Sequence, residues 1–85
     1  LEVWLALVLV PLGYWLGESD IERVLLIAPI FLVLIVEMIN SAIEALVDRV
    51  SLEKHELSGF AKDVASAAVL LSLVIFLIVW AIILL

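Results

Sequence analysis

No cysteine occurs among the 85 residues, so neither disulfides nor thiolate chemistry can shape this chain. Glycine is almost as scarce at three residues, too few for a Walker loop or any glycine-rich phosphate cradle. The HRD and DFG triplets are absent as well, which excludes the familiar soluble nucleotide-binding architectures. Four basic residues face ten acidic ones, and a net charge of −6 argues against nucleic acid as a partner. What fills the chain instead is apolar: 68% of it is hydrophobic and its mean hydropathy is +1.44. An ordinary soluble domain is ~45–50% apolar, so composition alone indicates a membrane protein. The apolar runs are continuous rather than alternating. Backbone groups in lipid must be satisfied internally, and such runs do so as helices.

Three hydrophobic segments make up one transmembrane domain over residues 1–85, an all-α fold with three transmembrane helices. Helix 1 is expected over about residues 1–16, helix 2 over 21–47 and helix 3 over 61–85, with a polar connection over 48–60. The first apolar stretch, Val3–Leu16, contains Pro11 and Gly13. At ~1.5 Å per residue it covers roughly 21 Å, short of the ~30 Å hydrocarbon core, so this helix is expected to begin upstream of Leu1. No signal peptide is read from it, because no small-residue cleavage site follows. The turn Gly17–Asp20 offers Ser19 or Asp20 as a cap for helix 2, in which Pro29 is tolerated as a kink. Ser58 and Gly59 are expected to break the polar stretch before helix 3. Arg49, Lys54 and Lys62 surround the second connection while Arg23 alone marks the first, which places the 48–60 connection in the cytoplasm. Trp15 and Trp80 then read as lipid anchors near the outer interface, with Trp4 deeper but of the same kind.

The run VLLIAPIFLVLIV (Val24–Val36) passes without a break into EMINSAIEALVDR (Glu37–Arg49). Glu37, Asn40, Ser41, Glu44 and Asp48 stand at relative positions 0, +3, +4, +7 and +11. On a helix they share an arc of roughly 100°. A helix merely leaving the bilayer has no reason to keep its polar residues on one side, so the stripe points into protein. A carboxylate at membrane depth costs at least ~2.5–3.5 kcal/mol and needs a partner. Arg49 and Lys62 are candidates, but oxygens without histidine or cysteine suit a hard cation such as Mg²⁺ best. Glu44, nearer the cytoplasm, fits such an ion together with substrate phosphates. Glu37 lies two turns deeper, where a lipid headgroup can meet it. The plainer alternative is polar glue between helices, which suffices for Asn40 or Ser41 taken alone.

Helix 3 opens with Lys62, Asp63 and Ser66. Lys62 can act as a point charge on a phosphate or simply anchor the chain at the interface. Ala61, Ala65, Ala68 and Ser72 give this helix a close-approach face. His55, between Glu53–Lys54 and Glu56, reads as a solvated loop histidine.

EMINSAIEALVDR followed by HELSGFAKDVASAAV (His55–Val69) resembles the prokaryotic integral-membrane diacylglycerol kinases, through E-x-x-N-[ST]-A-I-E-x-x-V-D and then H-x-L-(x)₃-A-K-D. The resemblance covers all three segments. It implies a homotrimer of three-span subunits in the bacterial inner membrane that transfers the γ-phosphate of MgATP to a lipid hydroxyl. By it, Glu37 matches the proton acceptor at the lipid hydroxyl, Glu44 a ligand of metal and ATP, and Asn40 the asparagine beside them, with Asp48 in support. Glu53, Lys54 and His55 match a nucleotide-contacting loop, Lys62 and Asp63 the pair at the ATP phosphates, and Ser66 a lipid-contacting serine. His55 thereby changes from a solvated side chain to a candidate ligand. The family's amphipathic surface helix and its additional metal-binding glutamate are not matched here. Glu2 reads as too late to be that ligand, so the site is expected to be incomplete.

The function expected is therefore ATP-dependent phosphorylation of diacylglycerol to phosphatidic acid, with Mg²⁺, ATP and membrane lipids as partners. Undecaprenol kinase is the alternative within the class. A non-enzymatic oligomer that binds a cation along the stripe is the alternative outside it.

Overall fold

The computed structural model describes residues 1–50 and 56–85 and is all-helical: α1 (Val3–Leu16), α2 (Asp20–Val50) and α3 (Glu56–Leu84). The bundle is elongated, 52 × 21 × 15 Å, with α2 central and α1 and α3 packed along it. Two helices, α2 and α3, are long and apolar enough to cross a membrane, whereas α1 has only 14 residues. A soluble bundle would turn its apolar side chains inward. Here large ones such as Val24, Phe31, Leu70, Leu77 and Ile82 face outward along both long helices.

The bounds differ from the expected ones at the polar end. Helix α2 continues to Val50, and α3 already begins at Glu56, so the expected 48–60 connection is helical at both sides. Ser58 and Gly59 lie within α3 and break nothing. One glycine costs a helix only about 1 kcal/mol relative to alanine, which a 29-residue helix absorbs.

The turn into α2 is built by Ser19, whose Oγ accepts from the Glu22 backbone N–H at 3.1 Å. The Glu22 carboxylate reaches back to accept from the Glu18 N–H at 3.3 Å, so two otherwise orphaned donors at the helix start are satisfied. Of the two caps the turn offered, Ser19 serves, and Asp20 supplies negative charge to the first turn instead. Arg23 closes the corner. Its Nε donates to the Tyr14 carbonyl at 3.1 Å, its Nη1 to Asp20 at 3.2 Å, and its guanidinium lies 4.6 Å over the Tyr14 ring. Gly17 must be bare, because a Cβ there would come within 2.9 Å of the Arg23 backbone nitrogen.

The core is a single face of α2, on which Leu26, Pro29, Ile30 and Val33 are buried against α1 and α3. From α3, Ala65 and Ser72 are buried on the facing side, and Ser72 satisfies its own hydroxyl by donating to the Val69 carbonyl at 2.7 Å. Ala61 is half-buried, but Ala68 is exposed and takes no part in that close-approach face.

Trp80 is not a lipid anchor. Its indole N–H donates to the Leu26 carbonyl at 2.9 Å, and its ring packs on Phe76 with centroids 5.2 Å apart. Pro29 lacks an N–H, so the Leu25 carbonyl loses its helical donor, one residue before the Leu26 carbonyl on which Trp80 docks. A Cβ on Gly13 would lie 3.3 Å from Leu26 Cβ and 3.5 Å from Trp80, so the three helices converge at this level. Trp15 and Trp4, 77% and 61% exposed, do face outward as expected.

Two stability outcomes follow from these contacts. Trp80→Phe in detergent should lower stability by about 0.5–2 kcal/mol, the scale of an interhelical hydrogen bond, while Trp15→Phe stays near neutral. Equal thermal-unfolding midpoints for both variants would contradict the strut. Gly17→Ala should destabilise the protein by its collision with Arg23, while Gly59→Ala, which meets nothing within 4 Å, should be neutral or gain up to about 1 kcal/mol. The same unfolding measurement separates the two.

Candidate functional site

The face of α2 that forms the core does not end with its apolar residues. From Leu26, Ile30 and Val33 the spacing of three and four continues through Glu37, Asn40, Glu44 and Asp48. The polar stripe is the prolongation of the buried face. Glu37, Asn40 and Glu44 are accordingly half-buried, whereas Ser41 and Asp48 are exposed at its margin. By helical rise Glu37 stands ~21 Å above Arg23 and Glu44 ~31 Å above it. Against a hydrocarbon core ~30 Å thick, that spans the depth from just inside the opposite boundary to the boundary itself.

Helix α1 runs antiparallel to α2, with Leu1 beside Glu37 and Tyr14 beside Arg23. The start of α1 is therefore level with the deepest carboxylate, as its end is level with Arg23. Helix α3 brings Lys62, whose Nζ donates to Asp48 Oδ1 at 2.6 Å, with Glu44 within electrostatic reach. This pair and the Trp80–Leu26 bond pin α3 to α2 at both ends. Of the two bases considered as partners for the stripe, Lys62 is the one that pairs among the described residues, and Arg49 is exposed.

Asn40 stands between the two glutamates, and its side-chain oxygen is buried with no hydrogen-bond partner among the described residues. Buried polar atoms are satisfied in the great majority of cases, and one left unpaired costs about 1–3 kcal/mol. A donor or cation arriving there would remove that cost.

The other expected site residues are less gathered. Asp63 and Ser66 sit on the first turns of α3 but are exposed, not turned toward the stripe as Lys62 is. Glu53, Lys54 and His55 lie outside the described residues. Among the described residues, no three of the histidine and carboxylate side chains are grouped so as to hold a metal ion. Mg²⁺ commonly takes only one or two carboxylates beside substrate phosphates, and Glu44 can provide one such oxygen. The Asp48–Lys62 contact had no signature in spacing, since fourteen residues separate the two. It depends on how α3 returns along α2.

Residues 1–84 match the family described as prokaryotic diacylglycerol kinase. Among individual proteins, the chain is 51% identical over 79 residues to a diacylglycerol kinase of Haemophilus influenzae, covering 93% of this chain and 67% of that protein. It is 54% identical to the diacylglycerol kinase of Escherichia coli K12 over 92% of this chain and 64% of the relative. The diacylglycerol kinase of Pseudomonas aeruginosa is also 54% identical, over 98% of this chain and 68% of the relative. The chain thus spans about two thirds of the length of these relatives. With its whole extent matched and about half its residues identical to theirs, the chain belongs to the prokaryotic diacylglycerol kinase family.

Proposed function

We propose that this chain carries the membrane-embedded site of an ATP-dependent lipid kinase, which moves the γ-phosphate of MgATP to the hydroxyl of diacylglycerol and yields phosphatidic acid. The observation that carries the reading is the continuation of the buried α2 face into Glu37, Asn40 and Glu44 at the depth where a lipid hydroxyl lies, with Lys62 leaning over the outer end of the stripe. Names borne by the relatives support diacylglycerol over undecaprenol as the substrate.

In this mechanism Glu37 accepts the proton as the hydroxyl oxygen forms its bond to the γ-phosphorus, and the bond from that phosphorus to the ADP oxygen breaks, the electron pair leaving with ADP. Glu44 would hold Mg²⁺, which when bound supplies charge neutralisation on the phosphates. Lys62, steadied by Asp48, offers a compact positive charge to the transferring group. Asn40 presents its unpaired oxygen between the two glutamates. Glu53, Lys54 and His55 contact the nucleotide and Ser66 the lipid. Asp63 joins Lys62 at the phosphates.

Asp63 and Ser66 look away from the stripe of their own chain, and three short helices cannot enclose both ATP and a lipid. Both facts favour a homotrimer whose sites lie between subunits, with α1 as a third span. The enzyme belongs in the bacterial inner membrane, with Asp48, Lys62 and the connection between α2 and α3 on the ATP-bearing cytoplasmic side.

The test is phosphotransfer by the membrane-reconstituted protein with Mg·ATP and either lipid alcohol. Glu37→Gln should lower kcat by about 10²–10⁴, the usual contribution of a general base, while nucleotide binding persists. Glu44→Gln should raise the Mg²⁺ concentration needed for half-maximal turnover. Unchanged turnover in both variants would remove these residues from the mechanism, and a strong preference for undecaprenol would overturn the substrate.

A further inference from the structure

The end of the bundle away from Glu37 carries a second feature that phosphoryl transfer does not use. An open groove of about 500 Å³ runs down the outside of α2, floored by Val24, Ile27, Ala28 and Phe31 and rimmed by Tyr14, Asp20 and Arg23. Its floor is wholly apolar and its rim carries one cation and one anion, 3.2 Å apart. The two charges pair with each other and keep further hydrogen-bonding capacity. Arg23 uses one N–H on the Tyr14 carbonyl and one on Asp20, so three of the guanidinium's five N–H groups have no partner among the described residues. The Asp20 side chain is 97% exposed, with no second partner for its carboxylate among the described residues. Arg23 is nonetheless held in place, its face on the Tyr14 ring and its Nε on the end of α1.

We propose that this groove binds a membrane phospholipid with an ethanolamine-type zwitterionic headgroup. The lipid phosphate lies on the free N–H groups of Arg23, and its primary ammonium donates to Asp20. One acyl chain descends over Val24, Ile27, Ala28 and Phe31. Guanidinium groups match phosphate oxygens in a planar fork, and the fixed Tyr14 contact keeps that fork aimed. Glu18, Asp20 and Glu22 crowd the same corner, so a lipid of net negative charge is repelled where a zwitterion is not. A trimethylated ammonium lacks the N–H donors that Asp20 would accept. The groove is of the size that ordinarily houses a small ligand, and its position one turn below a charged rim matches the headgroup-to-chain order of a lipid. The assignment needs only that α2 spans a membrane and is independent of the kinase reading.

The test is native mass spectrometry of the detergent-purified protein offered dioleoyl phosphatidylethanolamine, phosphatidylglycerol and phosphatidylcholine at equal concentration. Wild type should retain the ethanolamine lipid about tenfold better than either of the others, the scale of one charge-assisted hydrogen bond. Arg23→Gln should lose that retention, Asp20→Asn should abolish the preference over phosphatidylglycerol while retaining lipid, and Ala28→Phe should obstruct the chain and reduce retention of all three. Because Arg23 also braces the corner, Asp20→Asn and Ala28→Phe decide the matter should Arg23→Gln fail to fold. Equal retention of the three lipids by wild type overturns the proposal. So does an unchanged preference in Asp20→Asn, or no retained lipid at all, as when a second copy of the chain fills the groove.

Discussion

Everything in this small bundle depends on one requirement, that a single face of α2 be covered along its whole length. In its first half the face is Leu26, Ile30 and Val33, and α1 and α3 cover it with shape and dispersion contacts. Lipid chains are as apolar as leucine, so no hydrophobic driving force between helices assists this. Small residues, a backbone carbonyl and a tryptophan do the joining: Gly13, Ala65 and Ser72 let the helices approach, and Trp80 bonds to the Leu26 carbonyl. In its second half the same face becomes Glu37, Asn40 and Glu44. The covering helices then hold carboxylates in a partly dry place, which is the setting that phosphoryl transfer to a lipid alcohol calls for.

The two ends of α2 divide the labour by charge. At one end Arg23, Tyr14, Asp20 and the Ser19 cap build a corner joined by several hydrogen bonds, with three guanidinium N–H groups of Arg23 left over among the described residues. At the other, Lys62 and Asp48 form an exposed pair, and such pairs contribute little to stability because water and ions screen them. That pair is one contact, whereas the corner holds Arg23 by two hydrogen bonds and by the Tyr14 ring. Both ion pairs are largely exposed, so the two ends differ in their number of contacts rather than in burial.

Membership in the prokaryotic diacylglycerol kinase family agrees with this physical reading. The chain's longest helix carries the carboxylates Glu37, Glu44 and Asp48, and the next one brings Lys62 to Asp48.

The one-sided spacing of Glu37, Asn40, Glu44 and Asp48 was legible in the sequence, because a helix turns by a constant angle and the chain there contains no breaker. The existence of two long apolar helices was equally legible, since length and hydropathy decide it. Their ends were not: α2 runs three residues past its expected end at Val47, and α3 absorbs Ser58 and Gly59, because helices run on wherever backbone bonding continues. Trp80 misled for a definite reason. A tryptophan near the end of an apolar run looks the same whether it faces lipid or a neighbouring carbonyl, and only the return of α3 past Gly13 and Leu26, over fifty residues away in the chain, distinguishes the two. The pairing of Lys62 with Asp48 and the convergence of Tyr14, Asp20 and Arg23 around a groove likewise belong to tertiary structure. Periodicity along one helix is local geometry, whereas which face meets which requires three helices to find a mutual register.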